Sequence, residues 1–290
     1  MTIPNFFIVG MPRSGTTSLY TYLKQHPRIF LSIYKEPLFL CKDLDHRPHC
    51  ITSETLYRSL FDGAEDYPVV GEGSVWYLTS EVAAPEIYKV SPRARIVVML
   101  RDPLQMMQSL HSLYVRTGNE DIEDFAAALE ALEARRAGQR IPARNYFTNG
   151  LLYTDVALYY PKLKRFYDVF GKERVHVIRF EDFAADPLAE CRKVFRFLEI
   201  DAEAPVELDL GAAKRIIRPR AMEQIRRAHP EVKAKLSRKL GKTHLGAKRK
   251  PLDKNMEQTL RRMFQEDLRR TGQLTGLDLS AWGPAADERD

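Results

Sequence analysis

The feature that most constrains this chain is a glycine-bracketed loop between a strand-like run and a helix-like run. Phe6-Phe7-Ile8-Val9-Gly10 is followed by Met11-Pro12-Arg13-Ser14-Gly15-Thr16-Thr17-Ser18-Leu19. Glycines let backbone N–H groups turn toward an anion, and the helix that follows directs the positive end of its dipole at the same place. Against the nucleotide-hydrolase pattern, two glycines separated by four residues and then Lys and Ser/Thr, Gly10 and Gly15 match but Thr16 stands at the lysine position. A cation returns inside the loop as Arg13, and the hydroxyls of Thr16, Thr17 and Ser18 crowd the helix start.

A second pattern narrows the chemistry. The apolar run Arg95-Ile96-Val97-Val98-Met99-Leu100 reads as a buried strand and ends in Arg101-Asp102-Pro103, with Ser109 eight residues after the arginine. A phosphoryl-transfer enzyme is expected to end such a strand in a magnesium-holding aspartate. Here the strand ends in Arg101, whose guanidinium fork suits a phosphate. Asp102 follows one residue late, where alternation turns it to the other side; a surface pair between Arg101 and Asp102 capping the next helix is the plain structural alternative. Together the two motifs suggest a phosphosulfate ligand rather than a nucleoside triphosphate.

The residues 12–19 resemble the 5′-phosphosulfate loop of sulfotransferases that use 3′-phosphoadenosine 5′-phosphosulfate (PAPS), and Arg101 with Ser109 is similar to that family's 3′-phosphate site. The resemblance is to the heparan-sulfate-type and bacterial branch. It implies a P-loop-like α/β fold, sulfuryl transfer to a hydroxyl or amine of a glycan, glycolipid or small-molecule acceptor, and no metal. It implies cofactor contacts from Arg13, Ser14, Gly15, Thr16, Thr17, Ser18, Arg101 and Ser109. Gly246-Ala247-Lys248-Arg249-Lys250-Pro251 resembles the loop that closes over the 3′-phosphate, adding Gly246, Lys248 and Arg249; a solvated basic loop is the alternative.

An acceptor hydroxyl is a poor nucleophile while protonated, so a base must reach its proton. Tyr34-Lys35-Glu36-Pro37 resembles the segment that supplies a glutamate base in the heparan-sulfate-type branch, which makes Glu36 the candidate base. Lys35 is the candidate for orienting acceptor or leaving group. His111, on the helix carrying Ser109, is the nearest imidazole substitute. Two positions depart from the family: Gly73, in Gly71-Glu72-Gly73-Ser74, stands where a lysine is usual, and Met106 where an arginine is frequent.

Composition supports one compact enzyme. With 290 residues and 44% apolar content the chain can bury a sizeable core, and one domain spanning 1–290 is expected. Apolar runs at 5–10, 28–31, 68–71, 95–100 and 174–179 predict strands. Helical patterns fall near 15–25, 52–61, 80–90, 103–117, 121–137, 153–170 and 187–198, with a final helix at about 255–271. This order predicts a three-layer α/β/α fold around a mainly parallel sheet, its ligands beyond the carboxyl ends of the strands. No run approaches a membrane span and no basic-then-apolar leader opens the sequence, so a cytoplasmic location is expected.

Charge is concentrated. Residues 214–250 hold fourteen of the 45 basic residues against Glu223 and Glu231, leaving 31 basic and 37 acidic residues elsewhere. Such a segment suits cofactor phosphates or an anionic acceptor; it is also what a nucleic-acid-binding protein would use, though that reading leaves Arg13, Arg101 and Ser109 without a role and no nucleic-acid partner is expected. The other alternative, a small-molecule or nucleoside kinase with a degenerate loop, needs the missing lysine. Cys41, His46, His49 and Cys50 lie within ten residues, yet in one short loop rather than in two ligand pairs, and read as acceptor-lining more than zinc-binding. Residues 110–150, with Arg116, Arg144, Asn145 and Tyr146, are expected to form the opposite acceptor wall. Glu181 and Asp182 read as structural.

Overall fold

The computed structural model describes residues 2–44, 50–211 and 252–284. Within them the chain divides into two compact units, the first from the described residues of 1–43, 48–100 and 166–244, the second from those of 44–47, 101–165 and 245–290.

The first unit carries the sheet. β1 (Phe6–Gly10), β2 (Ile29–Leu31), β3 (Val69–Gly73), β4 (Arg95–Leu100) and β5 (Val175–Arg179) lie in the order β2-β3-β1-β4-β5, and every pairing is parallel. All five residues of β1 are buried, as are the last five of β4, so both faces are covered. That is why these strands read as continuous apolar runs rather than alternating ones. On one face Phe6, Ile8, Val97 and Met99 pack with Leu19 and Leu23 of α1 (Thr16–Leu23), with Phe183 of α9 (Phe180–Ala185), and with Cys191, Val194 and Phe195 of α10 (Pro187–Phe197). Burying each large apolar side chain here contributes about 1.5–3 kcal/mol. α2 (Glu54–Ser59) and α3 (Ala83–Val90) are further helices of this unit. α2 starts at Ser53, whose hydroxyl accepts from Leu56 N–H.

The second unit is helical. α4 (Pro103–Thr117) starts on Asp102, whose Oδ1 accepts from the N–H groups of Leu104 and Gln105 at 2.8 and 3.2 Å, and stops at Gly118 in the left-handed conformation. The helix expected over 121–137 is two: α5 (Phe125–Glu130), capped by Asp124, and α6 (Leu132–Arg136). The helix expected over 153–170 is also broken, into α7 (Tyr153–Val156) and α8 (Tyr160–Phe170). Pro161 explains the break, because its ring and missing N–H cannot continue a helix through 157–160. Asp267 of α11 (Lys254–Thr275) then caps the new start, accepting from Tyr159 N–H at 2.8 Å and Tyr160 N–H at 3.0 Å. α11 runs longer than expected, from its Asp253 cap to Gly276. No helix among the described residues is long and apolar enough to cross a membrane.

Candidate functional site

The phosphate loop follows β1 as expected. Gly15 sits at the start of α1 with φ 82°, and a Cβ there would lie 2.9 Å from the Phe180 ring, so only glycine fits. No side chain caps α1. Its first N–H groups therefore point out of the helix start as donors. Ser14 is fully buried, and its Oγ finds no hydrogen-bond partner among the described residues. Orphaned buried hydroxyls are rare in native proteins and call for a ligand or a water. Arg13 is exposed at φ 66°, a conformation that costs a non-glycine residue free energy and that clusters at ligand-binding loops. Thr16 is buried, Ser18 half-buried and Thr17 exposed. A tetrahedral anion is what this cradle of amides and hydroxyls can hold.

The same unit places Lys35 and Glu36 on a turn after β2, and the turn is built tightly. Glu36 N–H donates to Gly73 O at 2.8 Å, and its carboxylate Oε2 accepts from Val75 N–H at 2.9 Å. The other carboxylate oxygen, Oε1, pairs with Lys35 Nζ. Both side chains keep some exposure, 17% for Lys35 and 20% for Glu36, so the pair is open to solvent on one side. Glu36 has φ 65° and Leu38 φ 55°. Because Glu36 precedes Pro37, its ordinary φ would be near −120°. A strained backbone beneath a half-open carboxylate is the arrangement expected where geometry serves chemistry.

The missing family lysine at Gly73 has a steric cause. A Cβ on Gly73 would stand 2.9 Å from Tyr20 Cδ2, and the Tyr20 hydroxyl, which donates to Ser32 O, ties that ring in place. Tyr20 occupies the space that a side chain at 73 would need.

In the second unit Arg101 directly precedes α4. Its Nη2 donates to Gln105 Oε1 at 3.2 Å, and its carbonyl accepts from Tyr159 Oη at 2.6 Å. Besides capping α4, Asp102 accepts on Oδ2 from Arg261 Nη1 of α11 at 3.2 Å. Ser109 and Met106 are buried on α4. His111 is held structurally. Its Nε2 donates to Ile122 O at 2.8 Å, and its ring packs against Phe125 and Tyr153 with centroids 5.2 and 5.8 Å away. The 110–150 stretch is organised by Asn119, whose carbonyl accepts from Asn145 Nδ2 at 2.9 Å and whose Oδ1 accepts from Tyr146 N–H at 3.3 Å. Arg116 and Arg144 are exposed.

Glu181 and Asp182 lie in the first turn of α9, a short helix between β5 and α10, with Asp182 bonded through both oxygens to Arg179 at 2.7 Å. Cys41 and Cys50 form no disulfide, and buried Cys41 donates to Leu38 O at 3.3 Å. His46, His49, the basic segment 214–250 and with it Gly246, Lys248 and Arg249 lie outside the described residues. The polar group that sequence reasoning passed over is Glu72. It is fully buried and takes three hydroxyl donors. A glutamate inside a Val-Val-Gly-Glu-Gly strand was the available signal.

Comparison with known proteins agrees with this geometry. The sulfotransferase-domain family model matches residues 4–272. A sulfotransferase from Alicyclobacillus acidocaldarius superposes with a TM-score of 0.77 at 30% identity, over 97% of this chain and 99% of that one. Carbohydrate sulfotransferase 15 of Mus musculus is 27% identical over 247 residues, 68% of this chain and 44% of that protein. The bifunctional heparan sulfate N-deacetylase/N-sulfotransferase of Drosophila melanogaster is 22% identical over 220 residues, 69% of this chain and 20% of that protein. The chain thus spans less than half the length of these curated relatives. It belongs to the sulfotransferase-domain family, and it has the all-parallel, P-loop-like sheet of that fold.

Proposed function

We propose that this enzyme moves a sulfuryl group from PAPS to a hydroxyl or amine of a glycan acceptor, with Glu36 as the base that takes the acceptor's proton. The observation that carries the assignment is the turn at Glu36: a pre-proline glutamate at φ 65°, its carboxylate anchored on one oxygen by Val75 N–H and on the other by Lys35, and still partly open. The names of the carbohydrate and heparan sulfate relatives support a glycan as the acceptor class.

Bound PAPS supplies a sulfuryl group already joined to a phosphate leaving group. The residues of this chain do the rest. The uncapped start of α1 and the hydroxyls of Ser14, Thr16, Thr17 and Ser18 fit the 5′ end, the buried Ser14 Oγ gaining there the partner it lacks among the described residues. Arg13 balances the charge that develops on the bridging oxygen as the sulfur–oxygen bond to the leaving phosphate breaks. Glu36 accepts the proton as the acceptor oxygen or nitrogen bonds to sulfur, and Lys35 holds the Glu36 carboxylate in direction. In the second unit, Arg101 and Ser109 are assigned the 3′-phosphate by their motif. Gly246, Lys248 and Arg249 keep the role their resemblance implies. A sulfuryl group carries less negative charge than a phosphoryl group, so Arg13, loop amides and the helix dipole are expected to suffice without a divalent metal.

Thermal shift tests this. The desulfated 3′,5′-bisphosphate product should raise the melting temperature, because a ligand bound only by the native state stabilises it by mass action. ATP with magnesium should do so weakly. A larger shift with magnesium ATP would overturn the proposal.

A further inference from the structure

Below the turn that presents Glu36 lies a polar cluster to which the transfer reaction assigns no part. Glu72 near the end of β3 is fully buried, and among the described residues no cation pairs with it. Its Oε1 accepts from Tyr57 Oη at 3.0 Å and from Tyr77 Oη at 2.7 Å, and its Oε2 accepts from Ser74 Oγ at 2.7 Å. Two of these hydroxyls pass the contact on. Leu38 N–H donates to Ser74 Oγ at 3.2 Å, and Leu40 N–H donates to Tyr77 Oη at 3.2 Å. The backbone thus held is the segment that carries φ 65° at Glu36 and φ 55° at Leu38.

A buried carboxylate without a counter-cation is costly, and burial pushes the Glu72 carboxyl up to about 7 even though three hydroxyl donors pull it down. Left-handed non-glycine residues persist only where the surroundings over-determine them. The two costs meet in one network, each side of which explains the other. We propose that Glu72 is a positioning residue: through Ser74 and Tyr77 it clamps the 36–40 backbone and so fixes the direction in which Glu36 offers its carboxylate. The proposal rests on the reading of Glu36 as base.

The test cuts the relays while leaving Glu36 and the phosphate loop intact. Ser74→Ala/Tyr77→Phe removes the acceptors of the Leu38 and Leu40 N–H groups. Turnover with PAPS and a glycan acceptor is measured beside calorimetric affinity for the bisphosphate product, with Glu36→Gln and Glu72→Gln in parallel. Displacing a reacting group by about 1 Å costs up to roughly 100-fold, so kcat should fall by roughly 10- to 100-fold in the double variant, with product affinity within about two-fold. Glu72→Gln keeps an acceptor for the two tyrosines and an amide that donates to Ser74, and it should keep most of the turnover; that rescue separates positioning from simple loss of packing. Normal kcat in the folded double variant, with Glu36→Gln inactive, overturns the clamp alone. Normal turnover in Glu36→Gln overturns the base assignment and the clamp with it. A fall in product affinity as large as the fall in kcat also counts against the clamp. If the double variant does not fold, each single variant carries the same test with an expected several-fold loss of kcat.

Discussion

Two glutamates in this molecule each face a cation, and they do opposite things. Glu120, in the loop between α4 and α5, pairs with Arg135 of α6 at 2.7 Å with both side chains fully buried. It also accepts from Tyr153 Oη at 2.9 Å and from the N–H groups of Asp121 and Ile122 at 3.0 Å. Every donor around it is a scaffold group, and it has nothing left to offer a substrate. Glu36 is paired with its own neighbour on a strained backbone, takes one N–H, and keeps a face open. A carboxylate saturated by its surroundings holds a fold together; one left undersaturated where the chain is bent against its preference is available for chemistry.

The largest effect should come from breaking the sealed side. Removing one partner of a buried ion pair strands the other charge, so Glu120→Ala should cost about 3–5 kcal/mol, read by chemical denaturation. A loss under about 1 kcal/mol would dissolve the contrast, since the Glu120 cluster would then be no more structural than the open pair.

Next in size is a pH dependence belonging to Glu72. Its folded pKa, about 7, lies above the ordinary 4.5 because of burial, so the folded state binds the proton more tightly. That stabilisation is fully present below pH 4.5 and is lost as pH rises through 7. At 1.36 kcal/mol per unit the difference between wild type and Glu72→Gln should change by about 3 kcal/mol across that window. Parallel stability curves for the two proteins would contradict it. The titratable neighbours Tyr20, Tyr57, Tyr77 and Cys41 all have raised pKa values, chiefly from burial, and stay neutral there.

Arg13→Ala sharpens the other side. A preorganised charge that acts on the leaving group should cost roughly 100-fold in kcat, about 2.7 kcal/mol, with less change in affinity for PAPS. If only the Michaelis constant rose, Arg13 would be an anchor. The smallest effect is expected at Gly73: Gly73→Ala forces the Tyr20 ring aside and should destabilise by about 1 kcal/mol or slightly more. An unchanged melting temperature would mean that Tyr20 is not what keeps a side chain out of this position.

Much of the sheet was legible because a doubly covered parallel strand must be a short apolar run, and the runs at 5–10, 28–31, 95–100 and 174–179 fall within a residue of β1, β2, β4 and β5. The phosphate loop was legible because glycine and hydroxyl spacing is local. What failed was long-range. Pro161 was visible in the sequence, but the start it forces on α8 is completed by Asp267, more than a hundred residues away. The Glu72 network joins residues 38, 40, 57, 72, 74 and 77 through side chains whose spacing has no period. The positive φ of Glu36 ran against the local rule for a residue before proline, so no local reading could have produced it.

The central claim is that Glu36 takes the acceptor's proton, and single-turnover transfer of labelled sulfate from PAPS by Glu36→Gln tests it most directly. Gln keeps the size of Glu and an acceptor for Val75 N–H but cannot act as the base, so the transfer rate should fall by roughly 10²- to 10⁴-fold, with affinity for the bisphosphate product nearly unchanged. A folded Glu36→Gln enzyme that transfers sulfate at close to the wild-type rate would contradict the account.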